Sequence, residues 1–191
     1  TAGPGVGKSR VREELVGRLR RRSGMEILFA YGDPTQQKAP FGMLTQAVRR
    51  SAQLLDGEPL DVRRQKLAAR VARHVDGSIQ RRVAEFLGEM VGTSFPAEQS
   101  VQLRAARNEP MLMGDQMRRA WVDFLEAECR AHPVVLVLED LQWCDRPTID
   151  FVDTALRLLE DRPLFVLAVA RPEVADVFPG LWAHRRPTRI P

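Results

Sequence analysis

Two unbroken apolar runs constrain the fold of this chain more than any other feature of its sequence. They cover residues 134–138 (VVLVL) and 164–170 (LFVLAVA), and a helical pattern over residues 147–160 lies between them. A strand that is apolar at every position is buried on both faces, as in a parallel sheet covered by helices. Because strands alternate with helices here, the sequence predicts an α/β fold with a parallel sheet.

The rest of the chain predicts one further strand and several helices. The strand covers residues 25–31 (MEILFAY), and helical spacing of apolar residues predicts helices over 10–22, 41–55, 61–75 and 79–90, with another ending at His132. Residues 92–110 show no clear period. Residues 55–131 contain helical patterns only, so they form either an inserted helical subdomain or one long helical crossover. With 191 residues, 44% of them apolar, the chain suits a single domain with a real core.

Charge and cysteine content narrow the class of protein. The 29 basic residues are interspersed with 25 acidic ones, for a net charge of +4, which predicts a mildly cationic surface. The alternative is a surface that binds nucleic acid. No apolar run approaches the roughly 18 residues that a membrane-spanning helix needs. Cys129 and Cys144 have neither a disulfide framework nor metal-ligand spacing, so the expected location is the reducing cytoplasm.

Residues 2–9 (AGPGVGKS) follow the pattern of a phosphate-binding loop, Gly-x-x-x-x-Gly-Lys-Ser/Thr, except that Ala2 replaces the first glycine. Glycines let successive backbone N–H groups point at phosphates, and the N-terminus of the following helix adds its positive dipole. Lys8 is expected to reach the β- and γ-phosphates, and the Ser9 hydroxyl to bind Mg²⁺. The alternative is a Gly-rich turn before an ordinary helix. The predicted nucleotide-binding residues are Gly3, Pro4, Gly5, Val6, Gly7, Lys8, Ser9 and Arg10.

Two carboxylates, Glu139 and Asp140, come directly after the first apolar run. A nucleotide-hydrolysing site needs a carboxylate at the end of such a strand to hold Mg²⁺, and a second one can orient the attacking water. Adjacent strand residues point to opposite faces, so the two are expected to differ in role. Which of them serves the metal stays open at this point. The alternative is a cap for the turn or helix that follows.

Arg171 comes directly after the second apolar run and before Pro172. It is expected at the same carboxyl edge of the sheet as Glu139 and Asp140, which is where open α/β sheets bind ligands. A guanidinium at this edge could sense the γ-phosphate or stabilise charge in the transition state. The alternative is an exposed arginine at a strand end.

Four segments in this order resemble the AAA-like, STAND-type ATPase modules of large bacterial regulators: AGPGVGKSRVREEL, KAPFGML, VVLVLEDLQWCDRPTIDFV and LFVLAVARPE. Such modules occur in LuxR-type transcription activators and in some adenylate cyclases and serine/threonine kinases. The resemblance implies a Walker A loop at Gly7, Lys8 and Ser9, and a Walker B pair at Glu139 and Asp140. It also implies an LHWAD-like segment at 141–145, in which Gln142 replaces a common His with little expected effect. The same resemblance implies that Arg171 is the sensor arginine. In the Walker B pair, Glu139 occupies the first acidic position, where this family commonly has Asp.

The resemblance implies an ATP-binding module, acting with Mg²⁺ as a slowly hydrolysing switch inside a multidomain signalling or transcription regulator. The partners that it implies are ATP and ADP, other domains of the same polypeptide and a second copy of the module. Nucleic acid would bind only through domains outside these residues. The alternatives are a nucleotide-binding structural module without turnover, a small-molecule kinase, and an origin-binding-type ATPase with DNA as its partner.

The start of the sequence raises one further expectation. Thr1 precedes the loop directly, whereas such a loop normally follows a strand. The sequence is therefore expected to be a piece of a longer polypeptide that lacks its first strand, which would be a neighbour of the 134–138 strand. A sheet without a central strand has two unpaired edges, and marginal stability is expected of it.

Overall fold

The computed structural model describes residues 8–21, 24–35, 40–185 and 188, and it contains one parallel sheet of three strands among them. The strands are β1 (Glu26–Tyr31), β2 (Val134–Glu139) and β3 (Leu164–Ala168), in the spatial order β1-β2-β3. Both pairs are parallel, and helices cover the sheet. This arrangement confirms the predicted α/β fold of the P-loop NTPase class.

The helices lie close to where periodicity predicts them, with two short additions, residues 101–107 and 174–177. In the region without a clear period, residues 101–107 form a helix of seven residues with only Leu103 and Ala106 buried, too short a segment to show a repeat. The helices are α1 (Lys8–Arg21), α2 (Gly42–Ser51), α3 (Leu60–Ala72), α4 (Gly77–Met90), α5 (Val101–Arg107), α6 (Pro110–Ala131), α7 (Arg146–Leu158) and α8 (Val174–Val177). Short 3₁₀ turns cover Leu141–Trp143 and Ala183–Arg185. Every helix among these is too short or too polar to cross a membrane.

The two faces of β2 pack against different layers. Leu136 and Leu138 join the main core with residues of α2, α4, α6 and α7. Val135 and Val137 point to the other face and form a small cluster with Val16 of α1. Burial on both faces is the reason why this strand reads as an unbroken apolar run.

Helices α2 to α6 lie between β1 and its parallel neighbour β2 along the chain. Buried residues of α3, α4, α5 and α6 belong to the same core cluster as Leu28 and Leu136 of the sheet. The helical residues 55–131 therefore share their core with the strands and run in the connection that parallel pairing requires.

The two outer edges of the sheet differ. On β1, the side-chain amide of Gln46 donates to the Tyr31 carbonyl at 2.9 Å and accepts from the Tyr31 N–H at 3.3 Å. Arg50 donates to the Phe29 carbonyl at 3.4 Å and lies over the Phe29 ring. These side chains occupy backbone groups that another strand would need. On β3, no strand within the described ranges pairs with the outer edge, and Phe165 is 54% exposed.

Within the described residues, β2 has a strand neighbour on each side. Residues of β2 pair with β1 on one side, as Glu26 with Val134, and with β3 on the other, as Val134 with Leu164. The expectation that a strand outside these residues is a neighbour of the 134–138 strand stays a prediction.

Candidate functional site

The carboxyl ends of all three strands meet at one edge of the sheet. Tyr31, the last residue of β1, is in register with Glu139, the last residue of β2. Beyond β2 and β3 the backbones stay joined, because Val169 N–H donates to the Leu138 carbonyl at 2.8 Å and Leu141 N–H donates to the Val169 carbonyl at 3.1 Å. The structure therefore brings the acidic pair and the segment that contains Arg171 to the same edge, as predicted.

Asp140 leaves the strand in a left-handed turn, with φ 50° and ψ 48°. The expectation that Glu139 and Asp140 alternate as two strand residues is wrong, since β2 ends at Glu139. Left-handed backbone costs a non-glycine residue roughly 1–2 kcal/mol, although Asp and Asn tolerate it better than most. The turn gives the two carboxylates different environments, and both residues are partly buried.

Gln142 connects Asp140 to the arginine segment. Its side-chain N–H donates to Asp140 Oδ1 at 3.1 Å, and its side-chain carbonyl accepts from the Arg171 backbone N–H at 3.0 Å. The residue is only 3% exposed. Sequence reasoning gave Gln142 little weight, because nothing in a linear segment shows that residue 171 folds back onto residue 142.

Gly32 allows the chain after β1 to approach Asp140 closely. A Cβ atom on Gly32 would lie 2.4 Å from the Asp140 carbonyl oxygen and 3.0 Å from Trp143 Cβ. The Gly32 N–H also donates to the Glu139 carbonyl at 2.7 Å. Gly32 directly follows the strand predicted over residues 25–31, but its contact with the acidic pair follows only from the register of β1 with β2.

Asp145 caps two helices at once. Its carboxylate accepts from the backbone N–H groups of Phe41 at 3.0 Å and Gly42 at 3.1 Å, at the start of α2. It also accepts from the N–H of Thr148 at 2.8 Å and its hydroxyl at 2.7 Å, at the start of α7. The acidic residue of the LHWAD-like segment thus satisfies helix N–H groups that would otherwise lack partners.

Neither cysteine is a chemically active group. Both are free and buried. Burial, with Asp145 adding to it, raises the pKa of Cys144 to about 12. Burial and the charge of Glu128 raise the pKa of Cys129 to about 11. Since the thiolate is the reactive form, these side chains serve as small packing groups at neutral pH.

The other predicted site residues lie partly outside the part of the chain that the structure describes. Gly3, Pro4, Gly5, Val6 and Gly7 are outside it, as are the side chains of Lys8 and Ser9. The backbones of Lys8 and Ser9 begin α1, and Arg10 in its first turn is exposed. A helix that begins at Lys8 is what a phosphate loop at residues 2–9 requires.

A second cluster of ionisable groups joins β1, α3 and α6 away from these strand ends. Glu128 is fully buried and accepts two hydrogen bonds from Arg70, at 2.7 and 2.8 Å, while Arg70 also donates to Glu26 at 2.8 Å. His74 Nδ1 lies 2.9 Å from Glu128, and His132 Nε2 lies 3.5 Å from it. Burial opposes ionisation of Glu128, but the hydrogen bonds from Arg70 and His74 outweigh it and hold its pKa below the usual value.

This cluster has the residue types of a metal site but is already neutralised. The histidine nitrogens and one Glu128 oxygen all lie within 4.8 Å of one another. Arg70, however, takes both oxygens of Glu128 with a permanent positive charge. The arrangement is therefore a buried ion network that holds helices to the sheet.

A cavity of about 580 Å³ lies within the helical residues, between α3, α4 and the segment before α5. Its lining is mainly apolar and includes Ala68, Ala72, Ala84, Phe95 and Pro96. Glu139, Asp140 and Arg171 do not line it, so it is separate from the edge where the predicted site residues meet.

Comparisons with known proteins identify a family for this chain. The model of the family described as "AAA ATPase domain" matches residues 2–167, which include the predicted phosphate loop and the acidic pair but stop short of Arg171. A relative from Rhizobium meliloti (strain 1021), "Uncharacterized protein R02095", is 30% identical over 71 residues. Those residues are 37% of this chain and 7% of the relative, so the chain matches only a small part of that protein. No solved structure matches the chain. Because the family match covers most of its length, the chain belongs to the AAA ATPase domain family.

Proposed function

We propose that the chain is an ATP-binding, slowly ATP-hydrolysing switch module of STAND type that works inside a larger bacterial signalling or transcription regulator. Membership of the AAA ATPase domain family supports nucleotide chemistry. The observation that carries the proposal is the meeting of Glu139, Asp140 and the Arg171 segment at one carboxyl edge of the sheet, in a chain whose first helix begins at Lys8.

The donor chemistry at this edge fits Mg²⁺. The carboxylates of Glu139 and Asp140 and the hydroxyl of Ser9 are hard oxygen donors, which Mg²⁺ prefers, and it commonly takes only one or two carboxylates alongside phosphate oxygens. Of the three, Glu139 and Ser9 would hold the ion, while Asp140 would face the attacking water. When bound, Mg²⁺ supplies positive charge that offsets the charge of the β- and γ-phosphates.

The residues of the chain have separate tasks in this proposal. Lys8 and the N–H groups of the loop bind the phosphates. Asp140 is held in a left-handed turn and oriented by Gln142, so it is suited to accept a hydrogen bond from an attacking water. Glu139 ends the strand and is suited to the metal. Arg171 follows β3, where a guanidinium would distinguish a triphosphate from a diphosphate by its extra charge.

A switch needs two states that bind ATP and ADP differently. The proposed difference is the contact of Arg171 with the γ-phosphate, which exists with ATP and is lost after hydrolysis. Slow turnover keeps the ATP state populated long enough for neighbouring domains to respond.

The test is calorimetric titration of the chain with Mg-ATP and Mg-ADP, followed by single-turnover measurement of phosphate release. We expect binding of both nucleotides, tighter for ATP, and slow release of phosphate. Lys8→Ala should abolish most binding while thermal unfolding stays cooperative, because it removes the cation that faces the phosphates. Unchanged affinity in that variant would contradict the assignment of the loop.

Asp140→Asn separates binding from hydrolysis in the same assay. Asn retains an oxygen for the hydrogen bond from Gln142 and tolerates left-handed backbone, so the site should stay assembled. Loss of the carboxylate should slow hydrolysis roughly 100-fold or more with little effect on ATP affinity. Glu139→Gln should slow it less. If both variants hydrolysed ATP at the wild-type rate, the acidic pair would serve only as a turn cap. If the wild type bound ATP without any turnover, a structural nucleotide-binding module would be favoured instead.

A further inference from the structure

Gln142 uses both ends of its side-chain amide at the candidate site. The amide N–H donates to Asp140 Oδ1, and the amide oxygen accepts from the backbone N–H of Arg171, 29 residues further along the chain. The side chain is almost fully buried. Burying an amide without partners is costly, so both hydrogen bonds contribute to holding this arrangement.

The chemistry of the two partners fixes the orientation of this amide. A carboxylate only accepts hydrogen bonds, and a backbone N–H only donates one. Rotating the amide by 180° would set its N–H₂ against the Arg171 N–H and its oxygen against the Asp140 carboxylate, and both contacts would repel. Gln142 can therefore form both hydrogen bonds in only one orientation of its side-chain amide.

The backbone on both sides of Gln142 is fixed as well. The 3₁₀ turn closes with hydrogen bonds from Trp143 N–H to the Asp140 carbonyl at 2.9 Å and from Cys144 N–H to the Leu141 carbonyl at 3.0 Å. The Leu141 N–H holds the turn against Val169, two residues before Arg171. A displacement of the Asp140 side chain therefore changes the hydrogen bonding of the Arg171 backbone through one rigid connection.

We propose that Gln142 is a positioning residue that couples the Asp140 carboxylate to the Arg171 segment, so that the hydrolytic group and the phosphate-sensing group act as one unit. This inference rests on the proposed function. It assigns a task to a residue that touches neither nucleotide nor metal and acts through two residues that do.

Two substitutions at Gln142 test its two hydrogen bonds separately. Gln142→Glu keeps an oxygen that can accept from the Arg171 N–H but loses the donor and sets a second carboxylate beside Asp140. Gln142→Leu loses both hydrogen bonds at similar size. Gln80→Leu is the control, because the partly buried Gln80 also donates a side-chain hydrogen bond, to the Val75 carbonyl at 2.8 Å, but lies in α4 away from the strand ends.

We expect Gln142→Glu to lower the rate of single-turnover ATP hydrolysis roughly 10–100-fold, as loss of a supporting hydrogen bond at a ligand site typically does. Its preference for ATP over ADP should remain, because the Arg171 backbone stays anchored. Gln142→Leu should lose both the rate and the nucleotide preference. Gln80→Leu should change neither.

Hydrogen exchange of the Arg171 backbone amide, followed by NMR without nucleotide, gives a second readout. Exchange should be faster in Gln142→Leu than in the wild type and unchanged in Gln142→Glu and Gln80→Leu. If Gln142→Leu does not fold, as a thermal melt would show, Gln142→Glu still tests the split between rate and preference.

The outcomes distinguish the inference from the proposed function. Failure of the wild type to bind ATP would overturn both. Normal ATP binding and hydrolysis with no effect of the Gln142 variants, or with the same losses in Gln80→Leu, would overturn the coupling alone. Equal loss of rate and nucleotide preference in Gln142→Glu and Gln142→Leu would also overturn it, since the two hydrogen bonds would then have no separate roles.

Discussion

At the scale of single residues, the candidate site depends on a close approach between backbones. The Asp140 carbonyl oxygen lies only 2.4 Å from where a Cβ of residue 32 would be, so only glycine fits between the end of β1 and the acidic turn. This contact places the start of the loop after β1 directly against the residue proposed to orient water. Gly32, which has no side chain, thereby allows Asp140 to take its position in the turn.

Gly32→Ala should therefore destabilise the fold and impair hydrolysis together. The new methyl group would meet a backbone oxygen, which cannot move as a flexible side chain can, and overpacking of this kind typically costs about 1–3 kcal/mol. Gly114→Ala in α6 is the matched control, because no atom lies within 4 Å of its added Cβ. It should leave stability equal or higher, since alanine favours a helix interior. Urea unfolding of both variants is the measurement, and equal stability of the two would contradict the close-approach argument.

Among these single residues, the sequence predicts the positions of some site residues but not the contacts of others. Glu139, Asp140 and Arg171 were predictable as edge residues because each follows an apolar run directly. Gln142 and Asp145 were not assigned their contacts, because their partners are distant in sequence; Phe41 and Asp145, for instance, are 104 residues apart. A local pattern indicates where a strand ends, whereas a hydrogen bond between two loops depends on the register of the whole sheet.

At the scale of elements, the buried ion network joins helices to the sheet. Arg70 of α3 reaches Glu128 of α6 and Glu26 of β1, so one guanidinium connects three elements. Periodicity predicts α3 and the end of α6 to within a few residues, but it does not predict this ion network. Amphipathic spacing describes apolar stripes, and it contains no information on which charges become buried and paired.

Glu128→Gln should destabilise the fold more than loss of an exposed carboxylate. Neutralising Glu128 leaves the buried positive charge of Arg70 with less opposing charge. Removing one partner of a buried ion pair typically lowers the free energy of unfolding by about 3 kcal/mol or more. Asp115→Asn is the control, because Asp115 in the same helix pairs with Arg118 at 3.1 Å on the surface and should matter little. Urea unfolding near neutral pH compares the two. A loss no greater than that of the control would contradict the structural role of the network.

The pH dependence of this difference has a definite sign. The pKa of Glu128 is lower in the folded chain than its usual value because hydrogen bonds from Arg70 and His74 outweigh burial. Its contribution to stability is therefore complete above the unfolded pKa, about 4.3, and is lost as the pH falls through the folded pKa. The stability gap between wild type and Glu128→Gln should shrink as the pH is lowered from about 7 to about 3. A constant gap would contradict the shift.

At the scale of the whole molecule, the sheet has one blocked edge and one open edge. Gln46 and Arg50 occupy outward-facing backbone groups of β1. Within the described residues, the outer edge of β3 has no such cover, and it displays Phe165. Open, flat and apolar strand edges favour pairing between molecules.

Phe165→Thr should accordingly reduce self-association of the chain while keeping its fold. Threonine retains β-propensity but removes most of the exposed apolar surface at the edge. Leu158→Thr in α7 is a matched control, because Leu158 is 55% exposed, against 54% for Phe165, but lies on a helix. Sedimentation over a range of concentrations measures the effect. Equal reduction by both variants would show that general apolar exposure, and not the strand edge, drives association.

The long connection between β1 and β2 leads us to expect a definite order of folding. About a hundred residues separate the paired strands, whereas helix contacts such as α3 with α4 and α5 with α6 are local, and distant pairings form more slowly than local ones. During synthesis β1 leaves the ribosome long before its partner strand exists. We therefore expect the helices to assemble first and the edge with Glu139, Asp140 and Gln142 to be completed late, when β2 and then β3 join. The nucleotide binding that we propose for that edge would then act on the last part of the molecule to form.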